Sequence, residues 1–141
     1  MADNSTPAAM ATMNVAASAL RAQQARMRVI AENMANSDSV SQTAGGDPYR
    51  RQVPVFAPLI MPDGQQGVTM ARIAPDPTPF KLEHRPGDPA ADANGNVKLP
   101  NVEPLVEALD MRDAQRAYEA NLSVIETARS MQNSTLDLLS H

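Results

Sequence analysis

The segment SALRAQQARMRVIAENMAN, residues 18–36, decides the fold, because it is long, periodic and free of glycine and proline. Together with the residues just before it, the segment carries one apolar face, formed by Met13, Ala16, Ala17, Leu20, Met27, Ile30 and Met34. These residues recur mainly at three- and four-residue spacings, which predicts an α-helix. Thr6 followed by Pro7 is a typical helix start. We expect the helix to end near Asn33–Ser37, after roughly 28 residues or about 42 Å.

Glycine and proline divide the 141 residues into three parts. All six glycines lie between Gly45 and Gly95, and eleven of the twelve prolines lie between Pro48 and Pro104. Helices tolerate these residues least. The pattern predicts an N-terminal tail at 1–6, a helix and its exit at 7–44, a proline- and glycine-rich middle at 45–100, and a second helix at 101–141.

The second helix is expected to start at Asn101, with Glu103 and Pro104 in its first turn, where an acid suits the helix dipole. It spans roughly 36 residues, or about 54 Å. Its predicted apolar stripe is broad and consists of Leu105, Leu109, Ala114, Ala117, Tyr118, Leu122, Ile125, Ala128, Met131, Thr135 and Leu138.

Two helices of this length at opposite ends of a chain are typical of coiled-coil pairing. The seam is thin, since the polar Gln24 and Asn121 lie on it or beside it. The helices could satisfy each other as an isolated antiparallel hairpin, or they could also need neighbouring chains. We favour the second interpretation because small side chains bury little area per turn. The fold class is therefore mainly α, with a coiled-coil pair of terminal helices and a small irregular β middle.

The middle segment predicts a β-hairpin over residues 49–73. Its first strand, Tyr49 to Phe56, contains Pro54 and therefore belongs at a sheet edge. A turn is expected at 62–64, followed by a second strand over 68–73. Three prolines at 75, 77 and 79 argue against regular structure, and a turn at 94–95 precedes a short extended run at 97–99.

The sequence offers little for catalysis or metal binding. His84 lies between two charged residues in a predicted loop, and His141 is the last residue. There is no cysteine, so zinc and thiol chemistry are not expected. The spacing of Asp92, Asn94, Asn96 and Glu103 resembles a calcium loop, but Val97 stands where the loop needs glycine, and Gly95 comes two positions early. A turn stabilised by Asx side chains explains these residues better. We expect no cofactor, no metal and no enzymatic activity.

Charge and hydropathy limit the partners. The net charge is −4 and no basic stripe is present, so a nucleic-acid partner is not expected. No apolar run approaches the length of a membrane span, and the N-terminus lacks the basic and apolar regions of a secretory signal. Arg50 and Arg51 are adjacent in the first strand. Two interpretations stay open for them: both are solvated, or they form a salt bridge between chains.

Two stretches carry a family resemblance. Residues 18–40 resemble the N-terminal signature of bacterial flagellar rod and hook proteins, of the form S-A-L-x-A-Q-x-x-R-M-x-V-I-A-x-N-x-A-N. Residues 107–138, with the runs RAYEAN at 116–121 and SM at 130–131, resemble the C-terminal helix of this axial family. The middle runs GDPYRRQ at 46–52 and RPGDPAAD at 85–92, with Asn101 and Val102, are similar to one short proximal-rod type.

The resemblance implies a structural subunit of the proximal rod, located in the periplasmic part of the flagellar basal body. It implies export through the flagellar type III apparatus, polymerisation with other copies, and an inner coiled-coil layer formed by the terminal helices. The implied partners are the B-, F- and G-type rod proteins (FlgB, FlgF and FlgG) and the adaptor FliE. The predicted assembly-interface residues are Met13, Leu20, Met27, Ile30, Met34, Arg50, Arg51, Leu109, Tyr118, Leu122, Ile125 and Met131.

Three other functions are weighed against this one. The other short rod type, the B-type, is the nearest alternative. A rod-associated cell-wall hydrolase would need a catalytic acid in a cleft, and a cytoplasmic export chaperone would stay out of the basal body. Because the helix seam is thin and an exported chain should not be stably folded beforehand, we also expect the helices to be largely disordered in the monomer and to fold on assembly.

Overall fold

The computed structural model describes residues 5–140, and the side chains of residues 7–140. Helix α1 spans Ser5–Ala35 and helix α2 spans Pro104–Ser140. Between them lie strands β1 (Gln52–Ile60), β2 (Gln66–Pro75), β3 (Lys81–His84) and β4 (Asn96–Leu99). Long terminal helices around a small antiparallel β middle confirm the predicted fold class. The tail expected at 1–6 falls mainly on residues 1–4, which lie outside the described residues.

The two helices pack against each other in antiparallel order. Asn33, near the end of α1, lies beside Glu107, near the start of α2, with 3.5 Å between Asn33 Nδ2 and Glu107 Oε2. At the other end of the pair, Ala8 and Thr12 of α1 line one groove with Thr135 of α2. We call these the junction end and the distal end of the helix pair.

The seam of α2 follows a strict heptad pattern. Nine buried or half-buried residues alternate at spacings of four and three: Glu107, Met111, Ala114, Tyr118, Asn121, Ile125, Ala128, Gln132 and Thr135. Only Asp110 and Ala117, beside this line, are also shielded within α2. A 3.5-residue period is the spacing of a left-handed coiled coil. The seam is narrow and partly polar, which agrees with the prediction that it is thin.

The predicted stripe of α2 is divided by this seam. Ala114, Tyr118, Ile125, Ala128 and Thr135 lie on it. The remaining large residues of the stripe are exposed on α2 in the single chain: Leu105, Leu109, Leu122, Met131 and Leu138.

Helix α1 also packs against the hairpin of β1 and β2. Ser18 is buried, and its Oγ accepts a hydrogen bond of 3.2 Å from Val68 N at the start of β2. Gly67 makes this approach possible, because a Cβ at that position would lie 2.5 Å from Ser18 Oγ. The buried apolar residues of α1 are accordingly small or β-branched: Ala16, Ala22, Val29 and Ile30.

The hairpin of β1 and β2 confirms the strand pair predicted over 49–73. Gln52 pairs with Pro75 at its base and Ile60 with Gln66 at its tip. The register shifts between Val55 and Phe56, which leaves Ala71 as the extra residue of a β-bulge in β2. The sheet formed by β1 and β2 has two strands, so each is an edge strand, and Pro54 is tolerated in β1 as expected.

Strand β3 was missed by the sequence analysis, which placed His84 in a loop. Lys81–His84 pairs antiparallel with β4, from Lys81 opposite Leu99 to His84 opposite Asn96. All four β3 residues are exposed, so no buried face marks the strand in the sequence. The Asx turn is confirmed: Asp92 Oδ1 accepts hydrogen bonds of 2.9 Å from the backbone N–H groups of Asn94 and Asn96.

Both helices start at a residue other than the predicted one. Helix α1 already includes Ser5, ahead of the predicted Thr6 cap, and Pro7 is tolerated there because N–H groups of the first turn have no helical partner. Helix α2 begins at Pro104, three residues after the predicted Asn101. Proline suits the first helical position. Glu103 precedes it, and its carbonyl oxygen accepts the first helical hydrogen bond, 3.0 Å from Glu107 N.

Candidate functional site

A cluster of charged and amide side chains lies at the junction end, where α1, the hairpin and α2 meet. Arg51 is at its centre, just before β1, and its guanidinium faces three carboxylates. Nε contacts Glu107 Oε1, Nη1 lies 3.1 Å from Asp76 Oδ2, and Nη2 lies 3.6 Å from Asp110 Oδ2. We call these four residues, with Asn33 and Asn101, the polar junction. It connects α1, the exit segment, the hairpin and α2.

Glu107 is the most deeply buried member of the polar junction. Its exposed fraction is 0%, although it lies on the helix seam. A buried carboxylate is costly unless it is paired and hydrogen-bonded. Glu107 has Arg51 on one oxygen and the Asn33 amide on the other. It also lies in the first turn of α2, where the helix dipole favours an acid.

Asn33 holds the start of β1 against α1. Its Nδ2 donates to Gln52 O at 2.8 Å, and its Oδ1 accepts from Gln52 N at 2.9 Å. The same Oδ1 accepts a hydrogen bond of 2.7 Å from the Tyr49 hydroxyl. A buried amide with this many partners fixes the position of the strand relative to the helix.

Asn101 closes the polar junction from the segment before α2. Its Oδ1 accepts from Arg51 N at 2.7 Å, and its Nδ2 donates to the carbonyl oxygens of Asp76 and Thr78 at 3.1 and 2.9 Å. The residue is buried. Asn101 is therefore a bridge between the exit from α1 and the end of the hairpin, and not the first residue of α2.

Arg50 has a different environment from its neighbour Arg51. Its Nη1 donates to the carbonyl oxygens of Asp76 and Thr78 at 2.7 and 3.0 Å. Its guanidinium carbon lies 4.1 Å from the centre of the Phe80 ring, a cation–π contact. Both arginines are half-buried and engaged within the chain. A salt bridge from either of them to another chain stays a prediction.

Three ionisable groups respond to the polar junction. The hydroxyl and N–H of Thr78, and then Arg51, hold the pKa of Asp76 below its ordinary value, although burial acts in the opposite direction. Burial, and then the charges of Glu32 and Glu107, raise the pKa of Tyr49. Burial would lower the pKa of Arg51, but the bonds and charges of Glu107 and Asp76 raise it overall. The junction therefore keeps Arg51 and Asp76 charged.

The distal end of the helix pair has the opposite character. Helix α2 exposes apolar side chains there on both sides of its seam, namely Leu122, Val124, Met131, Leu136, Leu138 and Leu139. We call these six residues the distal face. Met131 is 64% exposed and Leu138 is 81% exposed. Val124 and Met131 also border a groove of about 480 Å³ whose other wall is formed by Ala8, Ala9 and Thr12 of α1. The distal face is therefore an apolar surface of α2 that the described part of the chain leaves exposed.

A second exposed apolar group lies at the junction end. Leu105, Val106 and Leu109 lie on the outer side of the first turns of α2, and Met34 is exposed near the end of α1. Leu105 is 74% exposed. The helix pair thus leaves apolar side chains uncovered at each of its two ends.

The predicted assembly residues fall into two groups. Eight are buried or half-buried within the chain: Met13, Leu20, Met27, Ile30, Arg50, Arg51, Tyr118 and Ile125. Four are exposed: Met34, Leu109, Leu122 and Met131. The sequence analysis missed Glu107, Asn33, Asn101 and Asp76, because isolated polar residues in helices and loops carry no periodic signal. The family signature did contain Asn33, without indicating its role.

Residues 5–140 hold no group of three or more histidine or acidic side chains arranged to bind a metal. Glu103, from the calcium-like pattern, lies instead 2.6 Å from Lys81 Nζ. Neither α1 nor α2 has a stretch apolar enough for a bilayer crossing.

Comparison with known families gives the class of protein. Residues 13–41 match the family described as flagella basal body rod protein. Residues 93–138 match the family described as flagellar basal body rod FlgEFG protein C-terminal. These two segments contain most of α1 and α2 and include Asn33, Asn101 and Glu107 of the polar junction. The class is that of flagellar basal-body rod proteins, which are structural components and not enzymes.

Full-length relatives identify the member of that class. The chain is 45% identical to the flagellar basal-body rod protein FlgC of Agrobacterium fabrum, over 92% of this chain and 94% of that protein. It is 44% identical to FlgC of Salmonella typhimurium, over 92% and 98%, and 34% identical to FlgC of Bacillus subtilis, over 90% and 95%. The chain belongs to the FlgC family of flagellar basal-body rod proteins. Membership of the FlgC family favours the C-type of rod protein over the B-type alternative. It also implies that other rod proteins are partners.

Proposed function

We propose that this chain is a structural subunit of the proximal rod, exported by the flagellar type III apparatus and polymerised into the periplasm-spanning shaft that transmits motor torque. Membership of the FlgC family assigns the chain to the flagellar basal-body rod. The proposal that the chain polymerises is supported by the distal face, because its apolar residues are exposed to water in a single chain. Exposed apolar surface of this kind marks sites of protein–protein association.

The pattern of the distal face supports packing against more than one neighbouring helix. Val124, Met131 and Leu138 are seven residues apart and form a row along one flank of the seam. Leu122 and Leu136 lie on the other flank. A seam alone serves a two-stranded coiled coil, whereas apolar flanks widen the stripe to the width that helix bundles use. We propose that helices of adjacent rod subunits cover both flanks.

The layer arrangement follows from the same surfaces. The terminal segments 7–44 and 101–141 would form the inner helical layer, and the middle segment 45–100 would pack outward or between subunits. The proposed partners are other copies of this chain, the FlgB, FlgF and FlgG types of rod protein, the adaptor FliE and the export apparatus. Of the predicted interface residues, Met34, Leu109, Leu122 and Met131 would contact neighbours directly, because they are exposed.

The geometry does not favour the cell-wall hydrolase. The three carboxylates that the fold brings together all face Arg51 and are neutralised by it in part. A general acid needs a carboxyl group free to protonate substrate in a cleft. The carboxylates of the polar junction instead connect parts of the fold.

The test compares Met131→Asp with Ser130→Asp, a substitution at the neighbouring exposed residue that lies off the distal face. We expect the Met131 variant to be exported but absent from purified basal bodies, since a carboxylate would be buried without a partner on assembly. The Ser130 variant should assemble. Normal rods containing the Met131 variant would contradict the proposed role of the distal face.

A further inference from the structure

We propose that Arg51 is the mechanical joint of the subunit: it fixes the β1–β2 hairpin to the helix pair, so that torque on one is transmitted to the other. This inference rests on the proposed function, since it assigns the path of force within a rod subunit. It concerns a contact inside the chain, and it is independent of how subunits pack at the distal face.

The middle segment leaves α1 after Ala35 and returns to α2 at Pro104, so both covalent connections lie at the junction end. A hairpin attached only through its chain ends would swing about that end. The structure adds side-chain contacts at two levels along α1: Ser18 with Val68, and Asn33 with Gln52. Of the side chains that make them, Asn33 also reaches α2, through a neutral contact of 3.5 Å with Glu107.

Arg51 supplies the charged connection between the hairpin and α2. Its guanidinium contacts Glu107 and Asp110 on the first turns of α2, and Asp76 just after β2. Its backbone O accepts from Asp76 N at 2.9 Å, and its backbone N donates to Asn101 at 2.7 Å. A planar guanidinium with several directed donors resists rotation better than a single point charge would. Among the described residues of the hairpin and its flanks, Arg51 alone forms salt bridges to α2.

Because Glu107 is buried, its carboxylate depends on the contact with Arg51. Glu107 is fully buried on the seam, and no buried side-chain nitrogen or oxygen among the described residues lacks a partner. Without Arg51, the Glu107 carboxylate keeps only the 3.5 Å contact to the Asn33 amide. An uncompensated buried charge is strongly unfavourable. The seam of the helix pair therefore closes fully only when the hairpin is seated, which links the two parts of the subunit.

The test separates stiffness from stability with three variants. Arg51→Met leaves Glu107 buried and unpaired, Glu107→Leu removes the buried charge, and the double variant removes both partners of the pair. A buried ion pair replaced by apolar residues often costs little stability, so the double variant should recover folding and assembly. Arg72→Met is the matched control, because Arg72 is an exposed arginine of the same hairpin.

Each variant replaces the chromosomal copy, and swimming is measured in media of increasing viscosity. The double variant should yield rods and swim in ordinary medium but stop at lower viscosity than the wild type and the Arg72 control. Equal swimming of the double variant and the wild type at every viscosity would overturn the proposal. It would show that the pair only stabilises the fold.

Hydrogen exchange of the purified chains gives a second readout that does not depend on rods. In Arg51→Met, amide exchange in β1 and β2 should rise on the order of a hundredfold, the factor expected when a buried pair loses one partner. The amides of the α1–α2 seam beyond the first turns should change less. A uniform rise in both parts would contradict the proposal. Absence of the wild-type chain from basal bodies would instead refute the proposed function and leave this result standing.

Discussion

Asn33 binds both backbone polar groups of Gln52, accepting from its N–H at 2.9 Å and donating to its C=O at 2.8 Å. A helix side chain thus takes the place of a neighbouring strand at the first residue of β1. This pairing sets where the hairpin starts relative to α1. It also orients the Asn33 amide toward Glu107, so that one residue of the helix serves both the hairpin and the seam.

We expect Asn33→Ala to be among the more destabilising substitutions in α1. It leaves the N–H and C=O of Gln52 and the Tyr49 hydroxyl without this partner, and a buried polar group left unpaired costs about 1–3 kcal/mol. Hydrogen exchange should show the largest loss of protection at the start of β1. Asn36→Ala is the control, because Asn36 bonds only within its own helix end, to Glu32 O at 2.9 Å. Equal effects of the two substitutions would contradict the role given to Asn33.

Aspartate substitutions at two nearby positions of α2 should act at different stages. Ile125 lies on the seam, so Ile125→Asp should weaken the helix pair itself by several kcal/mol, as expected for an unpaired buried carboxylate. Leu122 lies on the distal face, so Leu122→Asp should leave the monomer little changed and block assembly. Both should abolish swimming while export continues. Circular dichroism of the purified chains distinguishes them, and a swimming Ile125 variant would mean that the seam is wrongly assigned.

The contribution of Asp76 to stability should depend on pH in the acid range. Thr78 and Arg51 hold the pKa of Asp76 below its unfolded value of about 3.9. A lowered folded pKa contributes stability above the unfolded value, and this contribution is lost as the pH falls through the folded pKa. Wild type should therefore be more stable than Asp76→Asn at pH 7. Urea titrations followed by circular dichroism should show the difference shrinking below pH about 4, and a constant difference would refute this account.

Folding before assembly should differ between the two ends of the helix pair. The sequence predicts helices that are largely disordered in the monomer, and we propose that this disorder is concentrated at the distal end. The junction end has directed polar contacts, whereas the distal seam offers only Ala128, Gln132 and Thr135. Circular dichroism of dilute monomer should show less helix than the 31 and 37 residues of α1 and α2. Full, cooperative helicity in the dilute monomer would contradict the proposal.

The helices could be predicted because several independent sequence signals indicate helix over the same long segments. Absence of glycine and proline, apolar periodicity and the start signal at Pro7 agree over 30 or so positions, and consistent local signals of this kind are the most informative. The hairpin was predictable for a related reason, since the turn at Asp63 and Gly64 is flanked by β-branched residues. These patterns are local, so a single sequence shows them.

The polar junction could not be predicted, because it is made by residues far apart in the chain. Arg51 and Glu107 are 56 positions apart, and Asn33 and Glu107 are 74 apart. Neither the charge of Glu107 nor its place in a helix distinguishes it from the exposed Glu119. Only the packing of α1 against α2 makes it the one glutamate buried on the seam. Leu122, Met131 and Leu138 of the distal face were part of the predicted stripe, but apolar character alone does not distinguish burial within the pair from burial against a neighbouring chain.

Purified basal bodies test most directly whether this chain is a structural component of the rod. Mass spectrometry of basal bodies from a strain carrying the tagged wild-type chain should find it in the rod fraction, at a fixed ratio to the other rod proteins. The Met131→Asp chain should be missing from the same fraction. Recovery of the wild-type chain only from the cytoplasm, with basal bodies complete without it, would contradict the account.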